Sequence, residues 1–326
     1  MDKIPLEICE RMFSFACTDG GKTGSSLSAV SKYVRDASRR VRFQSVSLEN
    51  YDQLRKFHIL LEKLPSRHRN VHNLLLTGPK GPETPNTDGL DRQASLRAIR
   101  AWKDRLHEEG KEASLFVARL VRAVAPTVRV LSFFIPPESQ IEFTHIGVCL
   151  PVLEELTVQD ANILCPVTIT ETVELFPNLK RVHLAGPYVD HLDHVLRLLP
   201  LFGPSVTHIR MTGLEQSRRD PYELKARQLP ASRALDAEQE RPKLPESLRE
   251  IVVQMGPEPS TNFRIFSPGF LPYELIREHL QDLSGESGGP KITMLAAQTN
   301  LDDYNLTAAK EMWLDRGNGG PGCWAL

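Results

Sequence analysis

Leu153-Glu154-Glu155-Leu156-Thr157-Val158 and Leu179-Lys180-Arg181-Val182-His183-Leu184 repeat one pattern: apolar, two variable, apolar, one variable, apolar. Further copies are Val128-Arg129-Val130-Leu131-Ser132-Phe133, Val206-Thr207-His208-Ile209-Arg210-Met211 and Leu248-Arg249-Glu250-Ile251-Val252-Val253. Their first residues lie 25 (128 to 153), 26 (153 to 179), 27 (179 to 206) and 42 (206 to 248) positions apart. Earlier copies begin at Phe43 and Val71, 28 apart (43 to 71), and residues 291–296 form a degraded last one. From Val71 to Val128 is 57 positions, about two repeat lengths. Within each copy the last two apolar positions flank a variable one, which predicts a short strand with one face buried. Pro151, Pro177 and Pro245 precede copies, where proline stops a helix and turns the chain into the strand.

Between the copies the apolar spacing changes to three and four. Residues 51–64 carry Leu54, Phe57, Leu60, Leu61 and Leu64 on one helical face, and residues 115–124 and 189–201 do the same. Residues 270–283 read as a weaker helix interrupted by Pro272. Strand, turn, helix and return at about 26 residues resemble the leucine-rich repeat, in an irregular form lacking the usual Asn or Cys after the strand. An ordinary alternation of strands and helices is the other reading. The fold class expected is α/β: a short helical module, then a solenoid with parallel strands on one face and helices on the other. The expected divisions are 1–43, then 44–314 with insertions at 78–93 and 215–243, then a flexible tail at 315–326. Those stretches are rich in Pro, Gly or charge and poor in large apolar residues.

Residues 4–43 depart from the repeat. Pro5 is set to open a helix. Leu6, Ile8, Cys9, Met12, Phe13 and Ala16 follow at helical spacing, then a Gly-rich turn at 18–25, then a second stripe of Leu27, Val30, Tyr33 and Val34. The order Ile4-Pro5-Leu6-Glu7-Ile8, Met12-Phe13 and Leu27-Ser28-Ala29-Val30-Ser31-Lys32-Tyr33-Val34-Arg35-Asp36 resembles an F-box. Ile4 stands where that family has Leu, Val34 beside Tyr33 where it has Trp, and residues 19–24 lengthen the first turn. The resemblance implies a chain that works by bridging. Its module would lay an apolar face on a Skp-type adaptor, and through it reach the cullin of a ubiquitin ligase. Pro5, Leu6, Ile8, Met12, Phe13, Leu27, Val30 and Val34 are the candidate contacts; alternatively they form the module's own core or cap the solenoid end.

The repeats would then receive an unidentified protein substrate on the strand face, through Arg129, Ser132, Glu154, Thr157, His183, His208, Arg210 and Arg249. Net charge is −1, so a broad nucleic-acid surface is not expected. No apolar run reaches the roughly 20 residues that span a bilayer, and the first residues do not read as a secretory signal. Five cysteines without a Cys-x-x-Cys pair read as reduced thiols in a cytoplasmic or nuclear protein. Gly20-Gly21-Lys22-Thr23 lacks the spacing of a phosphate loop. His191 and His194 share a helical face without further ligands at metal spacing, and Cys149 and Cys165 sit in apolar segments. No cofactor, metal or catalytic set is expected.

Overall fold

The computed structural model describes residues 4–77, 85–86, 89, 91–134, 148–159, 175–186, 203–214, 244–257, 289–300 and 305–325. It divides into two compact units, Met1–Val148 with Lys310–Leu326, and Cys149–Ala309. The chain is α/β, and all its described strand pairs are parallel.

The first unit opens with three helices, α1 (Leu6–Ala16), α2 (Lys22–Val30) and α3 (Lys32–Ser38). Cys9, Phe13, Val34, Ala37 and Val41 close a small core among them, with Ile4, Leu27 and Tyr33 packed on it. The turn before α2 is shorter than the Gly-rich run implies. Asp19 accepts from the Thr23 amide (2.9 Å) and hydroxyl (2.7 Å), satisfying orphan donors and starting the helix at Lys22. Gly24 is required by packing, because a Cβ there would sit 2.0 Å from the Arg42 carbonyl oxygen. Ser31 caps α3 by accepting from the Val34 amide.

Three strands follow in chain order, β1 (Ser45–Leu48), β2 (Asn73–Thr77) and β3 (Val130–Phe134). Val46, Leu74 and Leu131 stand in register, as do Leu48, Leu76 and Phe133, and all six are buried. Two helices complete this layer: α4 (Tyr51–Lys63) buries Leu54, Phe57 and Leu61, and α5 (Arg92–Val124) buries Val117, Leu120, Val121 and Val124. The two pack through Phe116, edge-on to Tyr51 (5.7 Å) and His58 (5.8 Å).

The helix expected over 115–124 is thus the end of a much longer one. The expected loop at 78–93 overlaps its start; residues 78–84, 87–88 and 90 lie outside the described residues. The expected flexible tail also needs correction. Helix α6 (Leu306–Gly317) runs into it, and its glycines close a bonded turn. Gly320 donates its amide to the Asp315 carbonyl (2.9 Å), and Gly322 donates to the Asp315 carboxylate (2.8 Å). Trp313 is buried, Lys310 pairs with Glu49, and the Thr18 hydroxyl donates to Asn318 (2.6 Å). These contacts assign residues 310–326 to the first unit.

The second unit holds β4 (Glu155–Gln159), β5 (Arg181–Ala185), β6 (His208–Leu214), β7 (Glu250–Met255) and β8 (Lys291–Leu295), paired in that order. The apolar positions of the sequence pattern fall into register: Leu156, Val182, Ile209, Ile251 and Ile292, then Val158, Leu184, Met211, Val253 and Met294. A polar ladder runs outside the strands. Asn178 donates to the Pro151 carbonyl (2.6 Å), and Ser205 to that of Pro177 (2.9 Å). Ser247 in turn donates to the Pro204 carbonyl (2.7 Å). Each donor lies just before the leading apolar residue of its copy and reaches back to the copy before it, over 27, 28 and 43 residues. Gly213, at φ +71°, accommodates the register shift between Thr212 and Leu214. The helices expected over 189–201 (with His191 and His194) and 270–283, the excursion at 215–243 and Cys165 lie outside the described residues.

Candidate functional site

Two surfaces carry the candidate residues, one in each unit. On α1 the buried face is Cys9 and Phe13. At about 100° per residue, Ile8, Met12 and Phe15 fall together on another side of the same helix. They are 50%, 51% and 73% exposed, and Val30 at the end of α2 is 66% exposed. Leu6 and Pro5 are exposed as well. An apolar stripe facing outward from a helix whose adjacent side already fills a core is the mark of an interaction surface.

The candidate contacts therefore separate. Pro5, Leu6, Ile8, Met12 and Val30 are available. Phe13 and Val34 are not: both are buried in the module's own core, and Leu27 packs partly against it. Phe15 is the exposed residue the sequence reading missed. Its signal was present, since Ile8, Met12 and Phe15 follow spacings of four and three, a second apolar stripe beside that of Cys9 and Phe13. The same module also meets β1. Ser47 donates its amide to the Gly20 carbonyl (3.2 Å), and Ser45 donates its hydroxyl to Thr18 (3.1 Å). Backbone donors on an edge strand are satisfied this way.

The polar side of the second unit's strands is arranged in rows. Glu155, Arg181, His208, Glu250 and Lys291 stand in register, mixing acid and base across five strands. Arg181 pairs with Glu155 at 3.0 Å. Lys291 pairs with Glu250 at 3.0 Å, and Thr293 donates to the same carboxylate at 2.8 Å. The hydrogen bonds from Lys291 and Thr293 hold the Glu250 carboxyl below the usual range. His208 is lowered by burial and then by Arg181 and Arg249, against the opposing charge of Glu250. One step along, Thr157, His183, Arg210, Val252 and Thr293 form a second row. His183 bonds through Nε2 to the Thr212 hydroxyl (3.0 Å), and Arg210 donates to that same oxygen through Nε (3.2 Å). Burial, then the charge of Arg210, pushes the His183 pKa down to about 3.

Exposure was expected of the variable residues on this face, and for three it does not hold. His183 and Arg210 are buried polar residues, as is Ser132 on β3 of the first unit, whereas Glu154, Thr157 and His208 are half-buried and Arg249 is exposed. In the first unit Arg129 is exposed and neighbours His72, whose imidazolium burial and then Arg129 disfavour. The candidates also divide by position: Arg129, Glu154 and Arg249 precede their strands, so they do not share the row of His183 and Arg210. Glu155, Arg181, Glu250 and Lys291 were missed, although their sign alternation recurs at the repeat spacing.

A histidine held neutral and bonded to a hydroxyl acts as a fixed polar strut at neutral pH. Among the described residues, no group of three His, Cys, Asp or Glu side chains converges as metal ligands, and no helix is long and apolar enough to cross a membrane. The chain matches no family model and no curated protein.

Proposed function

We propose that this chain is a non-enzymatic substrate-recruiting adaptor of a cullin–RING ubiquitin ligase. The N-terminal module takes a Skp-type adaptor, and the repeated strands take a protein target in the cytoplasm or nucleus. The observation that carries this reading is the exposed apolar stripe of Ile8, Met12 and Phe15 on α1, with Val30 exposed at the end of α2, on helices whose internal core is already filled. It coincides with the segment whose residues resemble an F-box. The repeat spacing and the Asn178, Ser205 and Ser247 ladder support reading the strands as an irregular leucine-rich-repeat solenoid. The rows from Glu155 to Lys291 offer both charge signs to a polar protein surface, which favours specificity in recognition.

A second reading has its own support. The hydrogen bonds from Ser47 to Gly20 and from Ser45 to Thr18 suit a module that caps the strand edge in an interaction scaffold. Capping uses the turn after α1 and leaves the stripe unexplained, so the adaptor reading is preferred.

The test is binding of the purified chain to purified Skp adaptor by calorimetry, with an Ile8→Asp, Met12→Asp double variant. Both residues are exposed, so the variant keeps the parental melting temperature. Loss of two central apolar contacts weakens binding by roughly a hundredfold or more. A folded parent that does not bind leaves the capped scaffold as the function.

A further inference from the structure

We infer that the turn following α3 and the short 3-10 helix Ser66–His68 together form an arginine-lined site for a phosphorylated segment of a partner protein. Two separate pieces of chain build it. Arg35 and Arg39 come from the end of α3, Arg40 and Arg42 from the turn after it, and Arg67 and Arg69 from the segment around the 3-10 helix. Asn70 donates its side-chain amide to the Arg40 carbonyl (3.2 Å) and ties the two pieces together. Arg67 donates through Nε to His68 Nε2 (3.3 Å).

Two carboxylates oppose these six guanidinium groups: Asp36 pairs with Arg39 (2.7 Å) and Glu10 with Arg40 (3.5 Å). Six cations less two anions leaves four positive charges. The Glu62 carboxylate is turned to His58 (3.4 Å). Some donors are spent internally. Arg35 bonds the Ser28 carbonyl, Arg69 bonds those of Leu64 and Glu62, and Arg42 stacks on the Phe43 ring at 4.5 Å. A guanidinium has five N–H donors, so these uses leave most of each fork available.

The cluster carries an electrostatic cost in the absence of an anion. Burial and then Arg67, Arg39, Arg42 and Arg40 all disfavour the charged form of His68, with no carboxylate opposing them. Burial, then Arg39 and Arg35, acts likewise on Arg42. The buried Arg42 Nε and His68 Nδ1 atoms have no hydrogen-bond partner among the described residues.

Residue type selects the ligand. Every cation in residues 35–42 and 66–70 is arginine or histidine, and none is lysine. The planar arginine fork matches phosphate bidentately, which a lysine point charge does not. A lipid surface fits poorly, because Val34, Ala37 and Val41, the large apolar groups and methyls of this turn, all point inward. A nucleic acid wants a longer basic track than two short segments on a chain of net charge −1. A phosphoserine brings about −1.5 to −2 charges and three acceptor oxygens to one spot. On the helical wheel Glu10 lies about 160° from Ile8 and Met12, so this site and the apolar stripe occupy different sides of α1. The inference therefore does not rest on the adaptor reading.

The experiment uses the full chain and a fluorescein-labelled degenerate peptide pool built around a fixed pair of phosphoserines. Anisotropy is read against the same pool unphosphorylated, a short single-stranded RNA, and phosphatidylcholine vesicles doped with a phosphoinositide. The phosphorylated pool binds at least roughly tenfold more tightly than its unphosphorylated form, and inorganic phosphate competes it away. An Arg40→Gln, Arg67→Gln variant, both positions being exposed, loses roughly tenfold or more at an unchanged melting temperature. Equal binding of the two pools, binding unaffected by that variant, or tighter binding of RNA or vesicles overturns the inference.

Discussion

His183 shows how a single position can look like surface in one dimension and be interior in three. It follows Val182 and precedes Leu184, so alternation assigns it to the polar face of its strand. In the fold that position is closed, and the imidazole is neutral and bonded to Thr212. Its pKa, about 3 when folded, lies below the ordinary value of 6.5. The unfolded chain therefore binds a proton that the folded one refuses as pH falls from about 6.5 toward 3, and stability drops across that window. Above 6.5 both states are neutral and the effect vanishes. At pH 5 the loss relative to pH 7 is about 2 kcal/mol from this residue. His183→Asn removes that portion of the slope, leaving what His68, His72 and His208 contribute. Urea midpoints at pH 7 and pH 5 measure it; parallel slopes for parent and variant would show that His183 does not titrate this way. The same logic governs Phe13. Its spacing alone places it on an apolar stripe, and only packing against Val34 and Val41 decides that it faces inward.

Elements reveal a different division. Helix α4 was readable from its apolar spacing, and local chemistry fixes where it starts. Asn50 accepts from the Gln53 amide (2.9 Å), and Gln53 reaches back to the Glu49 amide (2.8 Å). This reciprocal cap satisfies two donors at once. Asn50→Ala costs about 1 kcal/mol, measured as a shift in the denaturant midpoint at constant slope; a shift of less than a few tenths would mean the cap adds nothing here. Helix α5 was readable only at its far end. From Arg92 to Glu109 none of its described side chains is buried, and the apolar Leu96 and Ile99 there face outward. Its start is nevertheless marked, since Asp91 accepts from the Ala94 amide at 2.8 Å. The strands were legible for the opposite reason. Each one repeats a pattern, and five copies in register reinforce a weak local signal.

At the scale of the whole molecule, the last residues complete the first unit. Trp313 is buried, and a Cβ added at Gly20 would meet its ring at 3.6 Å. Lys310 holds the Glu49 carboxyl below its usual range through their hydrogen bond. Trp313→Ala destabilises the first unit by about 3 kcal/mol. Hydrogen exchange then accelerates at Ser47, whose amide bonds Gly20. Unchanged protection at Ser47 in the variant would show that the C-terminal segment does not support the module.

By itself, the sequence determined the α/β class, the parallel strands and their period, and the helical character of the N-terminal module. These follow from apolar alternation, helical spacing and proline positions, which act over a few residues. Only the tertiary structure decided which apolar residues of α1 fill a core and which face outward. It also decided which polar residues of the strands are enclosed, and that residues 310–326 return to the first 20. Those outcomes depend on groups far apart in sequence, such as Thr18 and Asn318, and no local pattern encodes who will cover whom.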